Sequence, residues 1–428
     1  MSFDEIRAKH PYLDALGELV CRTGLTVNFN FDDLIDEAAI NFAKQWNRDP
    51  PEIIYHPKIE TRLGAPVIYH INGYLPRAPR RRRSENLVFT EDAFADVLIS
   101  PTSHEAEYIM ARFATTTFLL FGTSLNDNSL KNMLRGGMKR NSANHHYIVY
   151  WENSSSPRSS DERRHIFNVN LDVYNLISIF LTTEQIAALI TLLNHTDETI
   201  FENELLKFAT LKTRRRYYLV GSVVAGKSSN LEALRCFTTF EEWSGRPPEK
   251  MYQDHTTLTV TERAEIDDWL YSQLREKNDR MRKVGVGIHI MDRGYLDFCA
   301  FSETPKENLK KLDELRARVH AVSGPLESGQ ILFIWANEEA LSERQARRGS
   351  LRGKQKRKRI DYDGVKLVEQ ANILKSVYKP SDTSMFDTSH EPCEITCRRI
   401  AREILMGDYT PFDFEVRIDS LKARGGNV

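Results

Sequence analysis

The tightest constraint on this chain is eight residues long. Gly221-Ser-Val-Val-Ala-Gly226-Lys227-Ser228 fits the phosphate-loop spacing GxxxxGK[ST] at every fixed position. It directly follows the apolar run Tyr218-Leu219-Val220 and precedes Leu231-Glu-Ala-Leu-Arg-Cys, whose spacing is helical. A strand, a tight turn and a helix in that order predict an α/β domain. The residue types follow from the chemistry. Glycines let backbone amides close around phosphate oxygens, Lys227 reaches the β and γ phosphates, Ser228 holds Mg²⁺, and Ser229 opens a helix whose positive end faces the anion. A Gly/Ser turn with no ligand is the alternative, and the flanking strand and helix favour nucleotide binding. Gly221, Gly226, Lys227, Ser228 and Ser229 are therefore the expected contacts for ATP and Mg²⁺.

A length of 428 residues predicts two or three domains, each large enough to bury a core. With 59 basic and 60 acidic residues the formal net charge is −1, and whole-molecule charge predicts neither a nucleic-acid coat nor a membrane-surface binder, local patches being judged separately. The first twenty residues carry charges throughout, and no later apolar run is long enough to span a bilayer, which predicts a soluble, cytoplasmic protein. Cys21, Cys236, Cys299, Cys393 and Cys397 form an odd set without CxxC pairs, against a disulfide scaffold or a structural zinc site.

Punctuation along the first 151 residues predicts alternating strands and helices, hence a parallel sheet covered on both faces. The strands are expected at Leu25 to Phe29, Val67 to His70, Thr117 to Phe121 and Tyr147 to Trp151. The helices are expected at Asp33 to Lys44, Glu91 to Leu98, Ala106 to Phe113 and Ser129 to Leu134. Four junctions in this region resemble sirtuin-like NAD-consuming domains, in particular their bacterial antiviral branch. Asn30-Phe-Asp-Asp-Leu-Ile-Asp-Glu is similar to that family's TNYDxLLE segment, and His70-Ile-Asn-Gly-Tyr-Leu to its HGxL strand end. Phe89-Thr-Glu-Asp is similar to its LTxxDY turn, and Phe121-Gly-Thr-Ser-Leu-Asn-Asp127 to its GxSLxD loop.

The resemblance implies that Asn30 and His70 carry chemistry at the nicotinamide riboside, while Gly122, Ser124 and Asp127 sit against the adenosine side of NAD. By residue type, a neutral imidazole at a strand end can take a proton, and a structural histidine is the competing reading. Sirtuin-like domains open with a Gly-Ala-Gly loop for the pyrophosphate. Met1 to Phe29 holds only Gly17 and Gly24, so the expectation is a partial Rossmann-like layer lacking that half, completed by a sirtuin-like or defence-operon partner or kept for assembly.

From Glu152 the Ser, Pro and charge content of Asn153 to Arg164 predicts an exposed loop. His165-Ile-Phe-Asn-Val-Asn-Leu alternates like a strand, and an amphipathic helix opens on Thr183. The expected divisions are 1–165 sirtuin-like, 166–212 a connecting strand and helix, 213–410 the phosphate-loop domain and 411–428 a tail.

Beyond the loop, Gly287-Ile-His-Ile-Met-Asp292-Arg293 is an apolar strand ending in Asp-Arg and resembles the DRS or ERS strand end of deoxynucleoside and thymidylate kinases. Ala340-Leu-Ser-Glu-Arg344-Gln-Ala-Arg347-Arg348-Gly349 resembles their helix and lid. The resemblance implies a phosphate-loop kinase-like parallel sheet covered by helices. Asp292 would then support the metal, Arg293 hold the acceptor, and Arg344, Arg347 or Arg348 stabilise the transferring phosphoryl group. Glu241 or Glu242 is the candidate base where the acceptor is a hydroxyl, and a phosphate acceptor needs none. The basic run Arg352 to Arg359 is a solvated lid loop on this reading. Nucleic acid is not expected there because no aromatics interleave with the charges.

Two functions stay open. One is an ATP-dependent nucleoside or nucleotide kinase linked to a sirtuin-like NAD-processing module in antiviral defence. The other is a nucleotide-sensing or assembly subunit of an NAD-depleting complex, without kinase turnover.

Overall fold

The computed structural model describes residues 3–55, 64–77, 87, 104–123, 125–207, 212–252, 258–302, 304–351 and 364–427. The sirtuin-like turn at Phe89, the helix expected over Glu91 to Leu98, Ser124, and the basic run after Leu351 lie outside the described residues. The chain forms two compact units, 1–209 and 210–428, each a mixed α/β body with parallel sheets. Among the described residues, no helix is long and apolar enough to cross a membrane.

Among the described residues the first unit contains two three-stranded parallel sheets. In one, β1 (Leu25–Asn28) and β2 (Glu52–Ile54) flank β3 (Val67–His70), with Asn28 opposite His70 in the register. In the other, β4 (Leu119–Leu120) and β6 (Leu176–Leu181) flank β5 (His146–Trp151). The helices are α1 (Phe3–Lys9), α2 (Tyr12–Thr23), α3 (Leu34–Gln45), α4 (His104–Thr115), α5 (Asn128–Arg140), α6 (Ser160–Tyr174), α7 (Thr183–Leu193) and α8 (Glu198–Leu206). Ile109, Phe113, Leu130, Met133 and Ile148 fill the core between α4, α5 and the strands. Gly17 permits α2 to pack on α3, since a Cβ there would lie 2.5 Å from the Ala38 carbonyl oxygen.

Two expectations fail here. His165 to Leu171 is not a strand but the middle of α6, and the exposed loop ends at Ser159 rather than Arg164. Ser159 caps the helix by accepting from the Glu162 N–H at 3.2 Å, and Asn170, Leu171 and Tyr174 bury one helical face. Seven residues can satisfy a period of two and a helical face together, and the cap decides between them. The strand of this region is the next apolar run, β6, which pairs with β5 over six residues. Residues 166–193 are therefore part of the first unit's layers, not a connector. α7 is capped one residue earlier than expected, by Thr182, in a capping box with Gln185.

Among the described residues the second unit is built on one five-stranded parallel sheet in the order β11-β10-β7-β9-β8. Its strands are β7 (Arg214–Val220), β8 (Thr238–Phe240), β9 (Gly287–Asp292), β10 (Gln330–Trp335) and β11 (Met385–Asp387). Its helices are α9 (Lys227–Ala233), α10 (Val260–Arg282), α11 (Pro305–Leu315), α12 (Glu338–Leu351), α13 (Gly364–Tyr378), α14 (Cys393–Met406) and α15 (Phe414–Ala423), beside shorter turns. β7 lies between β10 and β9, so the chain leaves its carboxyl end at the middle of the sheet, where ligands of open parallel sheets bind. Residues 411–428 are not a tail. Asp413 caps α15, and Phe414, Ile418 and Leu421 are fully buried in the same core as Tyr218, Met291 and Phe333.

Candidate functional site

In the second unit the loop 221–226 joins buried β7 to α9. A Cβ on Gly221 would lie 2.2 Å from the Ile334 carbonyl oxygen, and Gly226 holds φ 100° at the start of α9, so both positions require glycine. The helix begins at Lys227, two residues ahead of Ser229. Lys227 is buried, and its Nζ donates to the carbonyls of Gly221 and Ser222, each at 2.7 Å. Burial and then the nearby Arg293 push its pKa down to about 8, against the opposing pull of Asp292, Asp297 and Glu242.

These side chains face one cavity of about 590 Å³. Gly226, Lys227, Ser228 and Ser229 line it from the loop, Asp292 and Arg293 from the end of β9, Glu242 from beyond β8, and Arg344 and Arg347 from α12. Gly221 stands behind the loop. Asp292 is buried and its Oδ1 has no hydrogen-bond partner, the state of a carboxylate oxygen available to a ligand. Arg293 lies 2.8 Å from Glu242 and 3.4 Å from Asp297. Burial disfavours its charge, but Glu242, Asp297 and Asp292 outweigh burial and raise its pKa above the ordinary value. Asp297 also accepts from the Tyr378 hydroxyl at 2.6 Å and the Gly294 N–H at 3.1 Å.

Arg344 ties α12 to the loop. Its Nη1 donates to the Ala225 carbonyl at 3.3 Å and to Thr388 Oγ1 at 3.0 Å, and its Nη2 donates to the Thr388 carbonyl. Arg347 is exposed and pairs with Glu343 at 2.6 Å. Arg348 lies on the same helix, with its side chain outside the described ones. Of the two candidate bases, Glu242 lines the cavity and Glu241 is exposed. Sequence reasoning missed Thr388, Glu391, Cys393 and Thr396, which close the cavity from the segment after β11 and the start of α14. Among the described residues, no group of three or more His, Cys, Asp or Glu is arranged to hold a metal ion.

In the first unit the motif residues gather at the ends of β1 and β3. Asn30 is exposed, its N–H bonded to Asn28 Oδ1 at 3.0 Å. His70 does not take the position expected of a base. Its side chain is fully buried, Nε2 donates to the Asp36 carboxylate at 3.0 and 3.1 Å, and Nδ1 is enclosed without a protein partner. In an HGxL strand end the histidine directly precedes the glycine, whereas the residue before Gly73 here is Asn72. Asn72 Nδ2 donates to the Phe29 carbonyl at 3.0 Å and to Asp127 Oδ2 at 2.8 Å, and its Oδ1 accepts from Ser129 Oγ at 3.4 Å. Asp127 Oδ1 caps α5 through the Leu130 N–H at 3.0 Å. Gly122, at φ 62°, is exposed in the preceding loop.

No curated protein matches the chain. Among solved structures, one similar chain is that of the "Crystal structure of NadR protein in complex with NR". It is 10% identical, with 68% of this chain and 96% of that chain covered and a TM-score of 0.31. At that distance nothing about ligand or activity passes from it to this protein. The match that carries weight lies in the first unit, over the strands and helices from β1 to α6: residues 25–174 match the family model described as a SIR2-like domain.

Proposed function

We propose that the second unit is a phosphate-loop kinase-like domain that transfers the terminal phosphoryl group of ATP to a hydroxyl of a nucleoside-class acceptor. The observation that carries this reading is the sharing of one cavity by the Gly221 to Ser228 loop, Asp292 and Glu242. The loop amides and Lys227 would hold the β and γ phosphates. Buried Asp292 with its unpartnered Oδ1, together with Ser228, fits a hydrated Mg²⁺, which would neutralise phosphate charge when bound. Arg344, pinned beside the loop, would offset charge on the transferring group, with Arg347 at the rim in a lesser role.

Arg293 is already neutralised by Glu242 and Asp297, which favours an uncharged hydroxyl acceptor over a second phosphate. Glu242 would accept the hydroxyl proton as the new O–P bond forms and the bond to the departing diphosphate breaks. Arg293 then orients the base rather than gripping the acceptor. Phosphate transfer from labelled ATP·Mg to nucleosides and nucleoside monophosphates tests this, with Lys227→Ala and Glu242→Gln beside the wild type. Equal, negligible transfer by all three removes the reading, and transfer to monophosphates alone removes the hydroxyl acceptor.

The SIR2-like domain supports a module that binds NAD. We place the protein in the cytoplasm, in an antiviral system where this module binds NAD without hydrolysing it alone. The observation behind the absence of hydrolysis is Asn72, an amide with no basicity, at the position before Gly73, with buried His70 engaged by Asp36. A second reading, a nucleotide-sensing subunit of an NAD-depleting complex, draws on the same observation. NAD loss measured with the chain alone and with the products of neighbouring genes separates them. Loss only in the mixture supports the complex, and loss with the chain alone overturns both.

A further inference from the structure

Lys277 is 3% exposed on the inner face of α10, and nothing in the transfer reading uses it. A buried ammonium group is costly unless it is hydrogen-bonded, and an apolar side chain of similar size would pack the same position at lower cost. Its Nζ donates to the backbone carbonyls of Asp292 at 3.0 Å and Arg293 at 3.3 Å, and lies 5.8 Å from the centre of the Trp243 ring. The charged groups around it are those of the proposed site: Glu242 from beyond β8, Asp292 and Arg293 at the end of β9, and Asp297 in the turn that follows.

The two carbonyls belong to the peptide planes on either side of Arg293. That residue holds φ 61°, a left-handed conformation that a long side chain keeps only where its surroundings over-determine it. The Leu219 carbonyl accepts the Arg293 N–H at 3.0 Å and Asp297 accepts the Gly294 N–H at 3.1 Å, and Lys277 adds to that determination by bonding the carbonyl of each plane at once.

We propose that Lys277 is a positioning residue for phosphoryl transfer: by fixing both peptide planes around Arg293 it holds that guanidinium against Glu242 and so aims the Glu242 carboxylate into the cavity. The proposal rests on the transfer reading.

The test compares the full-length wild type with Lys277→Met, Arg293→Ala and the double variant, using ATP·Mg and the best acceptor from the panel. Folding is followed by near-ultraviolet circular dichroism and thermal melting. Folded Lys277→Met is expected to keep the KM for ATP within about threefold while kcat falls about 30-fold, because the loss concerns orientation rather than nucleotide binding. In the Arg293→Ala background the same change is expected to cost less than about threefold more, since the two residues act through one element. Should Lys277→Met not fold, Lys277→Gln, which keeps one donor, carries the same comparison. Wild-type kcat in a folded Lys277 variant, or full additivity in the double variant, overturns the positioning role while leaving the transfer reading intact. A wild type that binds ATP·Mg and transfers to no acceptor overturns the transfer reading, and this proposal with it.

Discussion

Both units gather polar motif residues at the carboxyl ends of parallel strands; around Asn72 the first closes on itself, with His70 Nδ1 enclosed and unpartnered, while the second opens on a cavity. In the first, Asn72 uses both donors and its acceptor on Phe29, Asp127 and Ser129, and Arg77 closes on Asp33 at 2.8 Å. In the second, the corresponding positions open on a cavity of about 590 Å³, and Asp292 Oδ1 has no partner. A motif side chain consumed within its own unit serves the fold. One held out of water with its hydrogen bonds unmade stores a desolvation cost that a ligand can relieve. The phosphate loop matches its motif at every fixed position, whereas the first set departs from its own where Asn72 stands before Gly73.

The largest effect expected from this contrast is on transfer. On the transfer reading Lys227→Ala removes the cation that would lie nearest the phosphates and should lower kcat/KM by about 100- to 1000-fold in a labelled-phosphate assay, a loss comparable to that of one preorganised charge-stabilising donor. Thermal melting of the first unit should not change. Retained transfer would show that Lys227 does not act on the transferred group, and the contrast would lose the phosphate loop as its open side.

The converse experiment probes the closed side. His70→Ala strips Asp36 of its buried partner and leaves a void beneath Tyr74, whose ring centre lies 4.5 Å from that of His70. The first unit should lose about 3 kcal/mol, read as a fall in its calorimetric transition, while ATP binding by the second unit stays at the wild-type level. Loss of NAD affinity without loss of stability would instead return His70 to the functional list.

The same contrast explains what the sequence could carry. The β7, loop and α9 unit was legible because every determinant lies within about 15 residues and each follows from local backbone chemistry. Strands β1, β3, β5 and β9 were legible for similar reasons. What failed depends on distant partners. The role of His70 is set by Asp36, 34 residues earlier, and Thr388 meets Ala225 across 163 residues. Lys277 left a signal that passed unread. It follows Ile266, Tyr271 and Leu274 and precedes Met281 on the buried face of α10, where helical periodicity calls for an apolar side chain. α6 was missed because its alternation was weighed ahead of the Ser159 cap.

A third effect, smaller again, separates the units by pH. His146 at the start of β5 is enclosed by Phe113 and Phe118 and accepts the Phe118 N–H at 3.1 Å, and burial, then the adjoining His145, push its pKa from 6.5 down to about 3. Between those values the unfolded chain binds a proton that the folded chain does not, so stability falls as the pH falls through the window. At pH 5 the first unit should have lost about 2 kcal/mol relative to pH 7 from this group, and His146→Phe should remove that part of the slope. An unchanged slope in the variant would mean that His146 is not held neutral in the fold.

The smallest effect divides the residues of the open site among themselves. Arg344 is half-withdrawn, bonded at once to the loop and to Thr388, whereas Arg347 is 74% exposed and pairs with Glu343 one turn before it. An exposed pair on a helix contributes little, because water screens it and both side chains must be ordered to make it. Arg347→Ala should therefore change kcat/KM by less than about threefold, while Arg344→Ala costs about tenfold or more by loosening the loop as well as removing charge. Reversal of that order would mean that α12 shifts when nucleotide binds, bringing Arg347 off Glu343 and into the cavity. The contrast between the units would then rest on movement of α12 as much as on unmet hydrogen bonds.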